Sequence, residues 1–248
     1  VISIGKGKNN PFNTFATPSS LTKEASLKQM NPKMLTSFVD GTKTMVEMAA
    51  LANFLGFNID IDGMHGIEAT YENINQFYIP KKDGGLLDES QVVDFAFGIA
   101  PGVFAVIYSE DDYVNYEMEY LKMGKGPYWT LARPYHLTSL EIPRTIRHIM
   151  LEKYSKLSAQ SWNVEVVAHA KQDIEPGTNL GSIGGDYIYG KAQKTSSSKG
   201  LLPIGIAEDN VVTKAIAKGN PIAIDEVDAQ DNELCEYWDY QNQILDSD

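Results

Sequence analysis

The first residues of the chain alternate between apolar and polar side chains, and the pattern ends at a glycine. Val1-Ile2-Ser3-Ile4-Gly5 has the period of a β-strand. The next residues, Lys6 to Pro11, are rich in Gly and Asn, which predicts a turn. Residues 11–36 are polar and contain Pro11, Pro18 and Pro32, so we expect turns and breaks there.

Helical and extended periods follow in the middle of the chain. Asp40 is a plausible N-cap of a helix that Gly56 ends. Its apolar positions have helical spacing and are Met45, Met48, Ala49, Ala52 and Leu55. The pattern further predicts a buried strand at 101–109, a helix at 113–123, a strand at 128–133 and an amphipathic helix opened by Pro143.

After Ser161 the pattern changes to short apolar segments separated by Gly and Pro, beginning with a Val-rich strand at 162–170. Residues 173–180 are echoed by residues 215–222, and each segment combines a short strand with a turn that has glycine at the same place. These features predict a domain boundary near residue 160 and a small all-β module at 161–228. An acidic tail at 229–248 completes the predicted organisation.

Charge and composition narrow the classes of function. The formal net charge is -12, but nine acidic residues lie between Asp225 and the end, leaving 24 acidic against 21 basic residues before them. A nucleic-acid partner is disfavoured because phosphate binding needs a basic face. The longest apolar runs are too short to span a membrane, and the single Cys235 is typical of a reducing compartment such as the cytoplasm.

The helix at 40–56 carries the first candidate site. Asp40, Lys43 and Glu47 are spaced by three and four residues and share one helix face. The simpler hypothesis is a capped helix with a Lys43–Glu47 ion pair. The functional hypothesis is that Asp40 and Lys43 are catalytic, since a lysine with a lowered pKa can polarise a carbonyl group or relay a proton.

Two loops supply further candidates. His65 lies between glycines in Asp-Gly-Met-His-Gly, where a histidine has the access that proton transfer needs. Arg133, Tyr135 and His136 follow a predicted strand and are candidates for binding an anion or hydroxyl groups. The simpler hypothesis for these three is a strand end with a snorkelling arginine and a half-buried tyrosine.

The stretch Gly-Lys-Gly-Lys-Asn-Asn-Pro at 5–11 resembles a phosphate loop, but its spacing matches neither known nucleotide pattern. It is not G-x-G-x-x-G, and it does not end in Gly-Lys-Ser/Thr. We therefore predict no cofactor-binding residues in this chain. Lys6 and Lys8 are instead candidates for contacting the substrate.

Five stretches together resemble the homoserine dehydrogenase-like, NAD(P)-dependent oxidoreductases that end in a SAF domain, a group that includes the DXP reductoisomerase-like (DRL) proteins. The stretches are GKGKNNP at 5–11, VDGTKTMVEMA at 39–49, DGMHG at 62–66, 120–143, and KGLLPIGIAEDNVVTKAIAKGNPI at 199–222. The segment beginning at Asp40 is similar to the Asn-Gly-Thr segment of homoserine dehydrogenases, with Asp and Lys substituted. This substitution argues against homoserine as the substrate.

The resemblance implies an α+β fold. Residues 1–160 would be a catalytic and dimerisation domain with helices packed on a mixed sheet, and residues 161–228 a SAF module of β-clip fold. NADP or NAD would be bound mainly by a nucleotide domain that precedes Val1 in a longer polypeptide. The protein would be a homodimer or homotetramer. A divalent metal ion is compatible with reductoisomerase chemistry, and Asp60 and Asp62 are the candidates to hold it.

The leading hypothesis is an oxidoreductase that acts on a phosphorylated or acidic polyol-like substrate, with 1-deoxy-D-xylulose 5-phosphate reductoisomerase-like or homoserine dehydrogenase-like activity. The catalytic residues would be Asp40, Lys43 and His65. The substrate-binding residues would be Lys6, Lys8, Arg133, Tyr135 and His136. The alternative is a carbohydrate-binding or partner-binding SAF module on an oligomerisation scaffold. Under either hypothesis this chain alone is expected to be inactive.

Overall fold

The computed structural model describes residues 1–135, 137–153, 157–228 and 233–245. The chain has the predicted α+β architecture with a mixed parallel and antiparallel sheet. The strands are β1 (Ser3–Gly7), β2 (Ile67–Glu68), β3 (Val92–Phe97), β4 (Val103–Tyr108), β5 (Tyr128–Arg133), β6 (Val164–Ala170), β7 (Ile188–Lys194), β8 (Val211–Val212) and β9 (Val227–Asp228). The α-helices are α1 (Pro18–Leu27), α2 (Pro32–Val39), α3 (Thr42–Leu55), α4 (Ile74–Phe77), α5 (Asp112–Tyr120), α6 (Thr138–Arg147) and α7 (Glu233–Leu245).

The chain forms two compact units, and each is discontinuous in sequence. Unit 1 contains residues 1–11, 47–164 and 192–195. Unit 2 contains residues 12–46, 165–191 and 196–248. The predicted domains 1–160, 161–228 and 229–248 stay a prediction about organisation along the chain.

A five-stranded sheet with the order β2-β3-β1-β4-β5 forms the centre of unit 1. β1 is parallel to β3 and antiparallel to β4, while β2 is parallel to β3 and β5 is antiparallel to β4. The predicted strands at the chain start, at 101–109 and at 128–133 correspond to β1, β4 and β5. β3 has no counterpart among the strands that the pattern predicts, although it lies between β1 and β2 in the sheet.

One face of this sheet packs on an apolar core. The buried members of the core are Ala69, Ile74, Tyr78, Ile79, Leu87, Val92, Ala96, Ile99, Phe104 and Val106. Side chains alternate between the two faces of a strand, so Val92 and Ala96 place Asp94 on this apolar face as well. A buried carboxylate among these residues is costly unless donors surround it.

The glycines of the Gly-Lys-Gly-Lys stretch are required by packing within unit 1. A Cβ atom on Gly5 would lie 2.1 Å from the carbonyl oxygen of Asp94 and 2.6 Å from the Phe104 ring. A Cβ atom on Gly7 would lie 2.4 Å from the backbone of Ala100. The glycines therefore allow neighbouring segments to approach β1 closely, and this packing accounts for them without a bound phosphate.

In unit 2, two of the prolines that were predicted to interrupt regular structure are the first residues of helices. Pro18 and Pro32 are the first residues of α1 and α2, whose N-caps are Thr17 and Asn31. Proline suits the first helical position because its missing N–H has no partner there in any case. The prediction of turns throughout 11–36 was therefore wrong. In unit 1, α6 begins at Thr138, so Pro143 lies inside that helix and does not open it.

The two similar segments, 173–180 and 215–222, lie in unit 2 and form reciprocal hydrogen bonds, as expected for an approximate twofold relation between them. Ile174 and Ile216 occupy equivalent positions in the two segments, and each donates its N–H to the carbonyl of the other, at 2.8 and 2.9 Å. The paired turns match too, since Gly177 donates to Val212 at 2.7 Å and Gly219 donates to Ala170 at 2.8 Å. The two similar segments therefore pair with each other.

The described part of the predicted acidic tail is helical. Residues 233–245 form α7, which contains three acidic residues and no Lys or Arg. Within the described residues, no helix combines the length and the apolar character needed to cross a membrane.

Substituting Gly5 with alanine should destabilise the protein, because the new Cβ atom meets the backbone of β3 and an aromatic ring. We expect Gly5→Ala to reduce the free energy of unfolding by about 1–3 kcal/mol, as overpacking of a close-packed core does. Gly205→Ala is the control, because no atom lies within 4 Å of its added Cβ. Chemical denaturation monitored by circular dichroism gives both values, and equal effects would contradict this packing argument.

Candidate active site

A loop that passes beside β3 presents the candidate histidine. Asn58 forms a parallel bridge with Val92 before the loop, and Ile67 of β2 pairs with Ala96 after it. Between them the backbone turns through left-handed conformations at Gly63, Met64 and Gly66, with φ of 81°, 65° and 60°. A Cβ atom on Gly66 would lie 2.4 Å from the Phe95 ring, so this position requires glycine. The loop brings His65 beside Asp94.

Asp94 anchors this loop. Its side chain is fully buried, and its carboxylate accepts the backbone N–H groups of His65 at 3.0 Å, Gly66 at 3.1 Å and Phe95 at 2.7 Å. The Tyr78 hydroxyl lies 3.0 Å from Oδ1, and its single proton can be donated to Asp94 or to the carbonyl of Phe95. Several donors thus compensate the loss of hydration that burial of the charge entails.

His65 lies between two buried carboxylates. Nδ1 is 2.9 Å from Oδ2 of Asp94, and Nε2 is 3.4 Å from Oδ2 of Asp60. The Asp60 side chain is fully buried, and its Oδ1 accepts the N–H groups of Asp88 at 2.9 Å and Glu89 at 3.1 Å. The His65 side chain is 15% exposed. The imidazole is therefore oriented by the protein and still has limited access to solvent.

These contacts raise the pKa of His65 above its usual 6.5. The hydrogen bond with Asp94 is the largest cause, and the charges of Asp94 and Asp60 add to it. Burial and the charge of Lys81 oppose the increase. The arrangement favours the imidazolium form, because both ring nitrogens face negative charge.

Tyr78 belongs to the apolar core and lies beside both Asp94 and His65. Its ring stacks on Phe104 with centroids 5.5 Å apart and contacts His65 edge-on at 6.5 Å. Burial, together with the charge of Asp94, raises the pKa of the Tyr78 hydroxyl well above its usual value of 10. Tyr78 therefore remains a neutral hydrogen-bond donor.

The two predicted substrate lysines lie on and just after β1. Lys6 forms an ion pair with Glu47, and the Lys43–Glu47 ion pair stays a prediction. Gly5 is opposite Asp94, and alternation directs Lys6 to the other face of the sheet. Lys8 is buried, and its N–H donates to the carbonyl of Ala96 at 2.9 Å.

Arg133 lies in the same cross-strand row as Lys6. Val103 pairs with Lys6 on one side and with Arg133 on the other. The two cationic side chains therefore project from the same sheet face, with their Cα atoms about 10 Å apart, which is two strand spacings. Arg133 is 45% exposed, contacts Glu141 at 2.9 Å and lies over the ring of Tyr135 at 5.3 Å. His136 lies outside the described residues.

The other two predicted catalytic residues belong to unit 2. Oδ2 of Asp40 lies 2.8 Å from Nζ of Lys171, and both side chains are almost completely buried. Oδ1 of Asp40 accepts the N–H of Thr42, the first residue of α3, at 2.9 Å, but Asp40 is the C-cap of α2 and lies one residue before the N-cap position of α3, so it is not the predicted N-cap. Lys43 is exposed, and its ammonium group lies 4.4 Å from the centre of the Phe38 ring. Catalysis by Asp40 or Lys43 stays a prediction.

Sequence reasoning missed Lys171. Its Nζ also donates to the carbonyl of Gly185 at 2.8 Å. Burial lowers the pKa of Lys171, and the neighbouring Asp40 opposes that shift. A lysine directly after a Val-rich strand could have suggested a buried ion pair, but its partner is 131 positions away in the chain, beyond any local pattern.

The candidate metal ligands Asp60 and Asp62 have hydrogen-bond partners within the protein. The described residues contain no group of three His, Cys, Asp or Glu side chains that could hold a metal ion. Asp60 accepts hydrogen bonds from backbone N–H groups, and Asp62 accepts one from Gln193 at 3.2 Å. A divalent metal ion at this pair stays a prediction, and so does the absence of cofactor-binding residues from this chain.

Asp94 and Tyr78 are site residues that the sequence analysis overlooked. The signal for Asp94 was present, because a single acidic residue interrupts the apolar run Val-Val-Asp-Phe-Ala-Phe at 92–97. A carboxylate within a strand of this kind is expected to have a dedicated set of donors. No comparable signal marked Tyr78 among the 13 tyrosines of the chain.

Residues 1–142 match the family model described as "Oxidoreductase DRL, catalytic domain". This match covers more than half of the 248 residues, and it defines the chain as carrying the catalytic domain of an oxidoreductase. The chain belongs to the DRL family. No curated protein matches it significantly. The DRL part of the resemblance is thereby confirmed, while the similarity of residues 161–228 to SAF modules stays a prediction.

The raised pKa of His65 makes part of the protein's stability dependent on pH. Because the folded state binds this proton more tightly than the unfolded chain, the contribution is complete below about pH 6.5. It decreases as the pH rises through the folded pKa. NMR titration of the His65 ring should give a pKa above 6.5. The difference in unfolding free energy between wild type and His65→Gln should shrink over the same interval, and a pH-independent difference would contradict this assignment.

Replacing Asp94 with asparagine should weaken the loop and lower the pKa of His65. The substitution removes the charge and places an amide among groups that donate hydrogen bonds. We expect a loss of about 2–4 kcal/mol in unfolding free energy. Asp62→Asn is the matched control from the same loop, because Asp62 is exposed and its loss should change stability by less than about 0.5 kcal/mol. An unchanged His65 pKa in Asp94→Asn would refute the anchoring role.

Proposed function

We propose that this chain is the substrate-handling part of an NAD(P)-dependent oxidoreductase and that His65 is its proton-transfer residue. The proposal rests on the position of His65 between the carboxylates of Asp94 and Asp60. This site lies in a domain of the DRL oxidoreductase family. Proton transfer at a carbonyl or alcohol needs an oriented group with a pKa near the working pH, and histidine is the residue used most often.

The proposed substrate is a phosphorylated or acidic polyol-like compound, of the kind that DXP reductoisomerase-like or homoserine dehydrogenase-like enzymes convert. The support is the charge of Lys6 and Arg133, which project from the sheet face opposite Asp94 and can hold the anionic end of a substrate at a distance from its reacting oxygen. Arginine in particular can bind a phosphate or carboxylate through two parallel hydrogen bonds. The carboxylates of Glu47 and Glu141 currently contact these cations and would exchange with such a substrate.

We further propose that a separate nucleotide domain binds NAD or NADP, that the native protein is a homodimer or homotetramer in the cytoplasm, and that residues 161–228 form a SAF module. When bound, the nicotinamide supplies or accepts the hydride. The residues of this chain bind and orient the substrate and move the proton. Nδ1 of His65 is held by Asp94, which leaves Nε2 as the nitrogen that exchanges its proton with the substrate oxygen.

His65→Gln in the native full-length polypeptide should reduce kcat by about 100-fold or more, the usual contribution of a positioned acid or base. Nicotinamide oxidation, followed by absorbance with a panel of phosphorylated sugars and sugar acids, measures the effect. The KM for the substrate should change little, because His65 acts on the proton that is transferred and not on the anionic group of the substrate.

His148→Gln is the matched control for that measurement, because His148 lies on the π-helical turn after α6 and contacts Glu152. Its turnover should equal that of wild type. Full activity in His65→Gln would refute the proposed role of His65. If neither NADH nor NADPH fluorescence changes on addition of the full-length protein, the NAD(P)-dependent activity itself is refuted.

A further inference from the structure

Helix α5 carries three exposed tyrosines on one face, which we call the tyrosine row. Tyr113, Tyr116 and Tyr120 are spaced by three and four residues, so they lie in line along the helix. Each of them is between 63% and 73% exposed. The other side of α5 faces the protein, where Asn115 accepts a hydrogen bond from Nε1 of Trp129 at 2.9 Å. Tyrosine is enriched at protein interfaces, and a contiguous exposed row of such large rings is typical of an interaction surface.

The surroundings of the tyrosine row are acidic. Residues 110–120 contain five acidic residues and no Lys or Arg. Asp112 lies four residues before Tyr116 and Glu119 lies three residues after it, so both carboxylates flank the row. Within the part of the chain that the structure describes, neither carboxylate forms an ion pair. The row therefore presents aromatic rings beside negative charges that have no partner in unit 1.

Helix α6 and the π-helical turn that follows it, His148–Glu152, carry a basic row. Leu140, Arg144, Arg147 and Leu151 are spaced by four, three and four residues and share one face; we call them the arginine row. All four are exposed, the two leucines by 74% and 70%. Among the described residues, no carboxylate pairs with either arginine. The arginine row thus has two positive charges in its centre and an apolar side chain at each end.

The two rows are complementary in length and in chemistry. The tyrosines span about 10 Å along α5, and the leucines span about 16 Å along α6 and its π-helical turn. A guanidinium group stacks on an aromatic ring and also pairs with a carboxylate. Arg144 and Arg147 can therefore lie against the tyrosine rings and reach Asp112 and Glu119 beside them, while the leucines cover the ends of the tyrosine row.

The positions of the two helices suit a contact between two copies of the chain. β4 and β5 are antiparallel, with Tyr108 opposite Tyr128 at one end and Val103 opposite Arg133 at the other. α5 follows the first end and α6 follows the second. β5 is an edge strand, so a twofold axis beside it and perpendicular to the sheet would place a second copy with its strands reversed. The α6 helix of each copy would then lie at the α5 helix of the other.

We infer that the tyrosine row binds the arginine row of a second copy of this chain, in a reciprocal twofold dimer. This inference rests on the proposed function, which includes a homodimer, and it specifies the surface. A twofold dimer contains the contact twice, which brings two short helix pairs closer to the area that a stable interface buries. Neither row contains a residue proposed to act on the substrate, so assembly and proton transfer can be tested separately.

Charge reversal in the full-length protein tests this contact. Arg144→Glu with Arg147→Glu, and separately Asp112→Lys with Glu119→Lys, should each raise the dimer dissociation constant by about 100-fold or more, because like charges then face each other across the interface. Combining all four substitutions in one chain should restore the dimer, since the charges are only exchanged between the two rows. Analytical ultracentrifugation measures each constant, and circular dichroism checks that each variant folds.

Lys23→Glu with Lys33→Glu is the matched control, because it makes the same change in net charge at two exposed lysines of unit 2. Its dissociation constant should equal that of wild type. Double variants of either row that dimerise like wild type would overturn the inference. A combined variant that stays monomeric would also overturn it, because that result indicates pairing of two identical rows.

If the charge-reversed variants do not fold, hydrogen exchange of the wild-type protein decides the matter. The amides of residues 113–120 and 140–151 should exchange more slowly as the protein concentration rises through the dissociation constant, and unchanged exchange in either segment overturns the inference. A wild-type dimer that all variants retain refutes only this surface. A monomeric wild type also refutes the proposed homodimer, while the activity of His65→Gln tests the proposed catalytic role independently.

Discussion

Unit 1 depends on one buried charge, the carboxylate of Asp94. A carboxylate on the apolar face of a sheet is tolerated only if donors surround it, and this requirement organises its neighbours. The 62–66 loop bends so that two successive N–H groups point at Asp94, Tyr78 is buried with its hydroxyl directed there, and His65 places Nδ1 against the same carboxylate. The close approach of β3 to β1 in turn excludes any side chain at Gly5.

The two units each contain a buried ionic group, but with different chemical consequences. In unit 2, Asp40 faces Lys171, and both side chains are almost completely buried. Such a pair is suited to defining the geometry of the start of α3. In unit 1, the partner of the carboxylates is a histidine with partial exposure and a pKa displaced from its usual value. The second arrangement combines partial access with a titration range that acid–base chemistry can use.

Family membership and site geometry support the oxidoreductase role in different ways. The match over residues 1–142 defines the class of reaction, while the arrangement around His65 indicates which atom of this chain would move a proton. The Gly-Lys-Gly-Lys stretch illustrates why both are needed. Its composition suggests an anion-binding loop. In the structure, however, its glycines are required by strand packing, and Lys6 forms an ion pair with Glu47.

The sequence alone determined the features that depend on local periodicity, namely the strands at 101–109 and 128–133 and the helix ending before Gly56, while the α+β class followed from the family resemblance. Proline at a helix start has the same local appearance as a breaker, so α1 and α2 were not recognised. The tertiary structure decided the contacts that join distant positions, such as Asp94 with His65, 29 residues apart, and Asp40 with Lys171. These partners have no fixed spacing in the sequence. A buried charge needs an opposite charge or hydrogen-bond donors beside it, and only the folded chain brings those groups together.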